Sequence, residues 1–106
     1  VTDNSLDIKI KLIHGFSNKV RLQILDCIKE KEKTVSQIVE ELKGNQSNIS
    51  QHLACLKGCG IIVGRNEGKY CYYSLRNERI RELLEMFDTV LEDVYSDVAC
   101  CANHLD

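Results

Sequence analysis

Two of the six cysteines in this 106-residue chain, Cys55 and Cys59, stand four residues apart. On a helix that spacing stacks both side chains on one face, one turn apart, and so supplies half of a metal site. Just ahead of them runs Gln46-Ser47-Asn48-Ile49-Ser50-Gln51-His52, rich in short hydrogen-bonding side chains. These are the groups that read base edges in a DNA groove. One helix would therefore hold both a DNA-reading surface and metal-binding thiols, the pattern of a metal-responsive DNA-binding repressor. The base-contact candidates are Gln46, Ser47, Asn48, Ser50, Gln51 and His52, with Asn48 and Gln51 favoured for specificity. Lys57, Arg65 and Lys69 are the phosphate candidates.

The bulk of the chain is compatible with that reading. At 106 residues it suits a single domain, spanning 1–106, with a real hydrophobic core. With 43% hydrophobic and 28% charged residues it has no signature of disorder. The longest purely apolar run is Ile61-Ile62-Val63, too short to enter a bilayer, and the polar start does not resemble a signal peptide. A cytoplasmic location with reduced thiols is expected, rather than a secreted disulfide scaffold. The net charge of −2 conceals a strong division. Residues 43–81 carry 7 basic and 2 acidic side chains, a balance of +5, whereas residues 82–106 carry 7 acidic and no basic ones. A local basic segment is what phosphate contact requires, whatever the total. No Cys-His-acid arrangement, phosphate loop or carboxylate pair suggests an enzyme.

The elements that must position these residues are mostly helices. Leu6, Ile10 and Ile13 recur at helical spacing and give a first helix ending near Gly15. Ser17 is an N-cap candidate for a second helix carrying Val20, Leu22, Ile24, Leu25 and Ile28, which should run out in the solvated stretch from Lys29 to Lys33. Thr34 and Gln37 match a capping box that opens a third helix through Leu42. Lys43-Gly44-Asn45 is the turn, and Asn45 or Ser47 can cap the fourth helix. Residues about 34–60 thus read as a helix-turn-helix. Residues about 61–75 read as a two-stranded hairpin with Arg65 and Lys69 flanking its tip, which completes a winged helix. From Asn77 a long last helix, about 77–98, carries Ile80, Leu84, Phe87, Leu91, Val94 and Val98 at alternating steps of four and three. Such a stripe suits a terminal helix packed on its own core or, the favoured reading, one pairing with a second copy, and a homodimer would place two recognition helices on a palindromic site in double-stranded DNA. The expected fold is mainly α with a β-hairpin wing. Cys27 reads as a core thiol, Cys71 as an inward-facing strand residue and His14 as a surface residue.

Three segments carry a resemblance to a known family: Ser17-Asn18-Lys19-Val20-Arg21-Leu22-Gln23-Ile24-Leu25, Ser47 to Leu53, and Gly68 to Leu75. Together they resemble the ArsR/SmtB winged-helix metalloregulatory repressors, with Asn18 where the family's pattern has an acidic residue. The resemblance implies a homodimeric repressor that leaves its operator when metal binds. Two of the family's metal sites look absent. The third helix has no cysteine, and of Asn77, Arg79, Val90 and Asp93 on the last helix only Asp93 could ligate. Cys55 and Cys59 together with Cys100 in the tail (residues 99–106) are instead similar to the CmtR-type cadmium and lead sensors. In that subgroup two recognition-helix thiolates join a tail thiolate from the other subunit. Cys101 is included as a candidate ligand, and His104 is an additional neighbour whose part stays open.

Three or four thiolates make a soft site, favouring Cd(II) or Pb(II), while Zn(II) and arsenite also fit such ligands. Near the C-terminal end of their helix the two cysteines should rest as thiols, so that metal must displace protons. The alternative on the same scaffold is a thiol-based redox-sensing repressor in which Cys55, Cys59 or the tail pair oxidises.

Overall fold

The structure, a computed structural model, describes residues 3–102, with side chains described over residues 4–99. It divides into two units, Val1–Arg76 and Asn77–Asp106.

The first unit contains α1 (Asp3–Phe16), α2 (Lys19–Ile28), β1 (Lys33–Thr34), α3 (Val35–Leu42), α4 (Gln46–Gly58), β2 (Ile62–Glu67) and β3 (Tyr70–Leu75). Hydrogen-bonding side chains fix where the helices start. Asn18, rather than Ser17, caps α2, its Oδ1 accepting from the Arg21 amide at 3.0 Å. Thr34 and Gln37 form the reciprocal capping box of α3. Asn45 caps α4 by accepting from the Asn48 amide at 3.0 Å. Each bond satisfies an amide that the first turn of a helix leaves without an internal partner. Lys43 ends α3 at φ 54, a left-handed position more often given to glycine, and Gly44 follows it in the turn.

The core is built from Phe16, Ile24, Leu25, Ile28, Ile38, Ile49, Leu53, Leu56, Ile61 and Ile62. Ile49, Leu53 and Leu56 follow one another by four and three residues, so a single stripe of α4 is buried and its opposite face is left outward. That division is how the core aims the helix.

The sheet is three-stranded and antiparallel in the order β1-β3-β2. β2 and β3 form the hairpin, pairing Ile62 with Leu75 through Glu67 with Tyr70. The third strand corrects the expectation of a two-stranded wing and of a fully solvated stretch up to Lys33. Lys33 pairs with Tyr73 and Thr34 with Tyr72. The N-cap backbone of Thr34 is extended, at φ −80 and ψ 166, so the approach to α3 can lie along the open edge of β3.

α1 continues through Gly15 to Phe16. A Cβ at Gly15 would lie 2.6 Å from Ile61 Cδ1 and 3.5 Å from Cys59 Sγ, so glycine permits the close approach of α1 to the end of α4. Leu6, Ile8, Ile10 and Ile13 remain exposed.

The second unit is α5 (Glu78–Ala102), 25 residues long and opened by Asn77, whose Oδ1 accepts from the Ile80 amide at 3.1 Å. The sequence reading ended this helix near Val98. It extends to Ala102 because no glycine or proline interrupts the run from Val98 to Ala102. Phe87, Val90, Leu91, Val94 and Val98 are exposed along it. Among the described residues no helix is long and apolar enough to cross a membrane.

Candidate nucleic-acid interface and thiol site

With Ile49, Leu53 and Leu56 turned into the core, Gln46, Ser47, Asn48, Ser50 and Gln51 form an exposed polar row at the front of α4. His52 lies apart from that row. It is half-buried, with its Nδ1 3.5 Å from the guanidinium of Arg21. Arg21 is itself buried, donating from Nε to the Gly15 carbonyl at 2.9 Å and from an Nη to the His14 carbonyl at 3.0 Å. The sequence reading missed this clamp. An arginine amid the apolar positions of α2 gives no sign that the end of α1 will offer it two carbonyls. His14 is a surface residue, as expected.

Lys57 is exposed on the later part of α4. On the wing, Lys69 lies near the Tyr70 ring, 5.6 Å from its centroid. Arg65 is exposed yet engaged. Its guanidinium donates to Glu32 at 3.2 Å and to Glu67 at 3.1 Å, and sits 4.9 Å from the centre of the Tyr72 ring. Glu32 accordingly has a lowered pKa, chiefly through its hydrogen bond from Arg65. A phosphate would have to compete with these carboxylates.

Cys55 near the end of α4 and Cys59 at its C-cap are both half-buried, and the two thiols are close enough to influence one another. Burial, followed by the neighbouring Cys55, pushes the Cys59 pKa up, while the positive charges of Lys11 and Arg21 pull it back. The first cause differs from the helix-end dipole invoked from sequence, but its direction is the same: Cys59 rests as a thiol. Two adjacent sulfurs fit a thiophilic ion, yet they do not complete a coordination sphere. Among the described residues no cluster of three or more Cys, His, Asp or Glu could hold a metal. The side chains of Cys100 and Cys101, and the whole of His104, lie outside the described residues.

The remaining cysteines are placed less simply than the sequence suggested. Cys27 is a half-buried surface-cluster residue rather than a core thiol. Its thiol donates to Glu41, and the Lys33 ammonium lies 3.6 Å from its sulfur. Cys71 is half-buried, with its sulfur 2.9 Å from where a Cβ at Gly64 would stand.

This geometry of a polar-faced helix followed by a wing coincides with clear sequence relationships. Residues 18–63 match the family described as bacterial regulatory protein, arsR family. The HTH-type transcriptional regulator YbzH of Bacillus subtilis is 35% identical, with 76% of this chain and 95% of that protein covered. The chain belongs to the arsR family. It is thus a helix-turn-helix transcriptional regulator. A probable mercury resistance operon repressor of Streptomyces lividans is 28% identical, over 90% of this chain and 76% of that protein. The transcriptional regulator CmtR of Mycobacterium bovis is 29% identical, over 87% of this chain and 78% of that protein. A homodimeric winged helix-turn-helix DNA-binding domain from Mycobacterium bovis superposes with a TM-score of 0.81 at 28% identity, covering 88% and 89% of the two chains.

Proposed function

We propose that this arsR-family member is a metal-responsive repressor that binds a palindromic operator as a homodimer. Cys55, Cys59 and Cys100, with Cys101 as a further candidate, hold a thiophilic ion and thereby release the DNA. The observation that carries the reading is the placement of two half-buried, neighbouring thiols at the C-terminal end of the helix whose front presents the exposed polar row. A change at the thiols acts on the same rigid element that would enter the groove. Cd(II) or Pb(II) is the favoured effector for all-sulfur ligation, with Zn(II) and arsenite also compatible. The similarity to a mercury resistance repressor and to CmtR supports this class of effector.

In this reading Gln46, Ser47, Asn48, Ser50 and Gln51 contact bases, with Asn48 and Gln51 the specificity residues. His52 is a base contact only if its ring turns away from Arg21. Lys57, Arg65 and Lys69 meet phosphate. Cys55 and Cys59 give up their protons on ligating the ion, and the ion's preference for the form that does not fit DNA produces release. A coupling of about 1–3 kcal/mol weakens DNA binding roughly 5–150-fold. The redox alternative would use the same sulfurs, but the raised Cys59 pKa weighs against a reactive thiolate there.

Fluorescence anisotropy of the reduced protein on operator DNA, titrated with Cd(II), tests the assignment. Cd(II) should release DNA from the wild type and not from Cys55→Ser. Equal release from both would place the metal elsewhere.

A further inference from the structure

Cys27 plays no part in the recognition-helix thiol pair, yet it stands among groups that could give it a chemistry of its own. Lys33 holds its ammonium 3.6 Å from the sulfur, 2.6 Å from the Cys27 carbonyl, and 2.8 and 3.0 Å from the two carboxylate oxygens of Glu41. Glu41 also accepts the thiol proton of Cys27 in a hydrogen bond. The three groups come from α2, the start of β1 and the end of α3, so tertiary structure alone assembles them. Beside them opens a cavity of about 470 Å³, walled also by Gln23, Asp26, Glu30 and Leu42. A small oxidant can therefore reach the sulfur from solvent.

We propose that Cys27, Lys33 and Glu41 form a modification site at which a hydroperoxide joins the thiol and the amine in a covalent S–N link. In the first step the Cys27 S–H bond breaks and its proton passes to Glu41. Sulfur attacks the peroxide, an S–O bond forms and the O–O bond breaks. The leaving oxygen takes a proton from the Lys33 ammonium. In the second step the freed Lys33 amine displaces the hydroxyl from sulfur. Glu41 returns its proton to the departing oxygen, which leaves as water, and the nitrogen loses one proton to solvent. Sulfur is oxidised by two electrons and the peroxide is reduced by two. Sulfenic acids condense with neighbouring thiols and nitrogens in this manner, and the products are reversible by thiols. Burial and Glu41 together push the Cys27 pKa up to about 11. The proton must therefore leave as the S–O bond forms, and Glu41, hydrogen-bonded to the thiol, is placed to take it.

The link would join the end of α2 to the strand that edges the wing, because Lys33 pairs with Tyr73 of β3. It would also remove the Lys33 charge that now bridges Glu41. None of this depends on Cys55 or Cys59, so its failure would leave the proposed metal response untouched.

The test is peptide mapping by mass spectrometry of the full chain after mild hydrogen peroxide, with and without later dithiothreitol. The expected product connects the peptide bearing Cys27 to the one bearing Lys33, with the loss of two hydrogen atoms, and dithiothreitol reverses it. Lys33→Arg keeps the charge and the bridge to Glu41 but should give no cross-link, accumulating a dimedone-reactive sulfenic acid at Cys27 instead. Glu41→Gln should slow cross-linking at least several-fold. A wild type whose oxidation is confined to the other cysteines overturns the proposal. So does a wild type whose Cys27 product is the same as that of Lys33→Arg.

Discussion

Cys59 couples the proposed metal response to pH. Burial and the adjacent Cys55 raise its pKa, so near neutrality the sulfur is protonated and the proton must leave before the sulfur can ligate. Below the thiol's pKa, each proton displaced makes the apparent metal affinity rise by up to about tenfold per pH unit. Cd(II) affinity measured by competition with a chelator of known pH dependence should therefore increase steadily from pH 6 to 8. A flat profile would mean that the thiol is not a ligand. Gly15 probes the same place without touching sulfur. Its missing Cβ is what leaves room for Ile61 and Cys59, so Gly15→Ala forces a shift against Ile61 and should cost about 1–3 kcal/mol in denaturant unfolding. On the wing, Arg65→Ala should lower the slope of log affinity against log salt by about 0.9 if Arg65 meets one phosphate. An unchanged slope would mean that Glu32 and Glu67 keep the guanidinium when DNA is bound.

At the scale of elements, α4 depends on its buried stripe. Leu53 is fully buried between Ile49 and Leu56, so Leu53→Ala should destabilise the first unit by roughly 2–5 kcal/mol through lost burial and the cavity left behind. Asn48→Ala removes an exposed side chain and should leave the unfolding midpoint unchanged while weakening operator discrimination. A thermal melt beside a binding titration separates the two cases. The stripe, the capping box at Thr34 and the hairpin were legible in the sequence because each is local: helical spacing, a side chain reaching three residues, a turn between β-prone runs. β1 was not legible, since a two-residue strand exists only because the β3 edge is there to pair with Lys33 and Thr34. Burial of Arg21 escaped for the same reason, because its carbonyl partners belong to the end of α1. Within the site, the adjacency of Cys55 and Cys59 followed from their spacing, whereas the inward tilt of His52 depended on that hidden arginine.

For the molecule as a whole, the exposed apolar residues pose a question of assembly. Phe87, Leu91, Val94 and Val98 run along α5 in steps of four, three and four, with Val90 beside Leu91 widening the stripe, the spacing that gives one continuous face. Leu6, Ile10 and Ile13 do the same on α1. Apolar faces of this length mark a protein interface, and the proposed reading of a palindromic operator would need a symmetric one. The proposed homodimer would bury such faces against their copies, at about 25 cal/mol per Å² of apolar area removed from water. Leu91→Glu places a charge in the middle of the α5 face while retaining a good helix former. Sedimentation velocity should then show a monomer at concentrations where the wild type is a dimer. Operator affinity should fall with it, because a monomer can occupy only one half-site. Leu91 is exposed and lies outside the first unit, so the substitution removes nothing from that unit's core. If Leu91→Glu sediments as a dimer, the pairing face is not the α5 stripe, and α1 becomes the surface to substitute next, at Ile13.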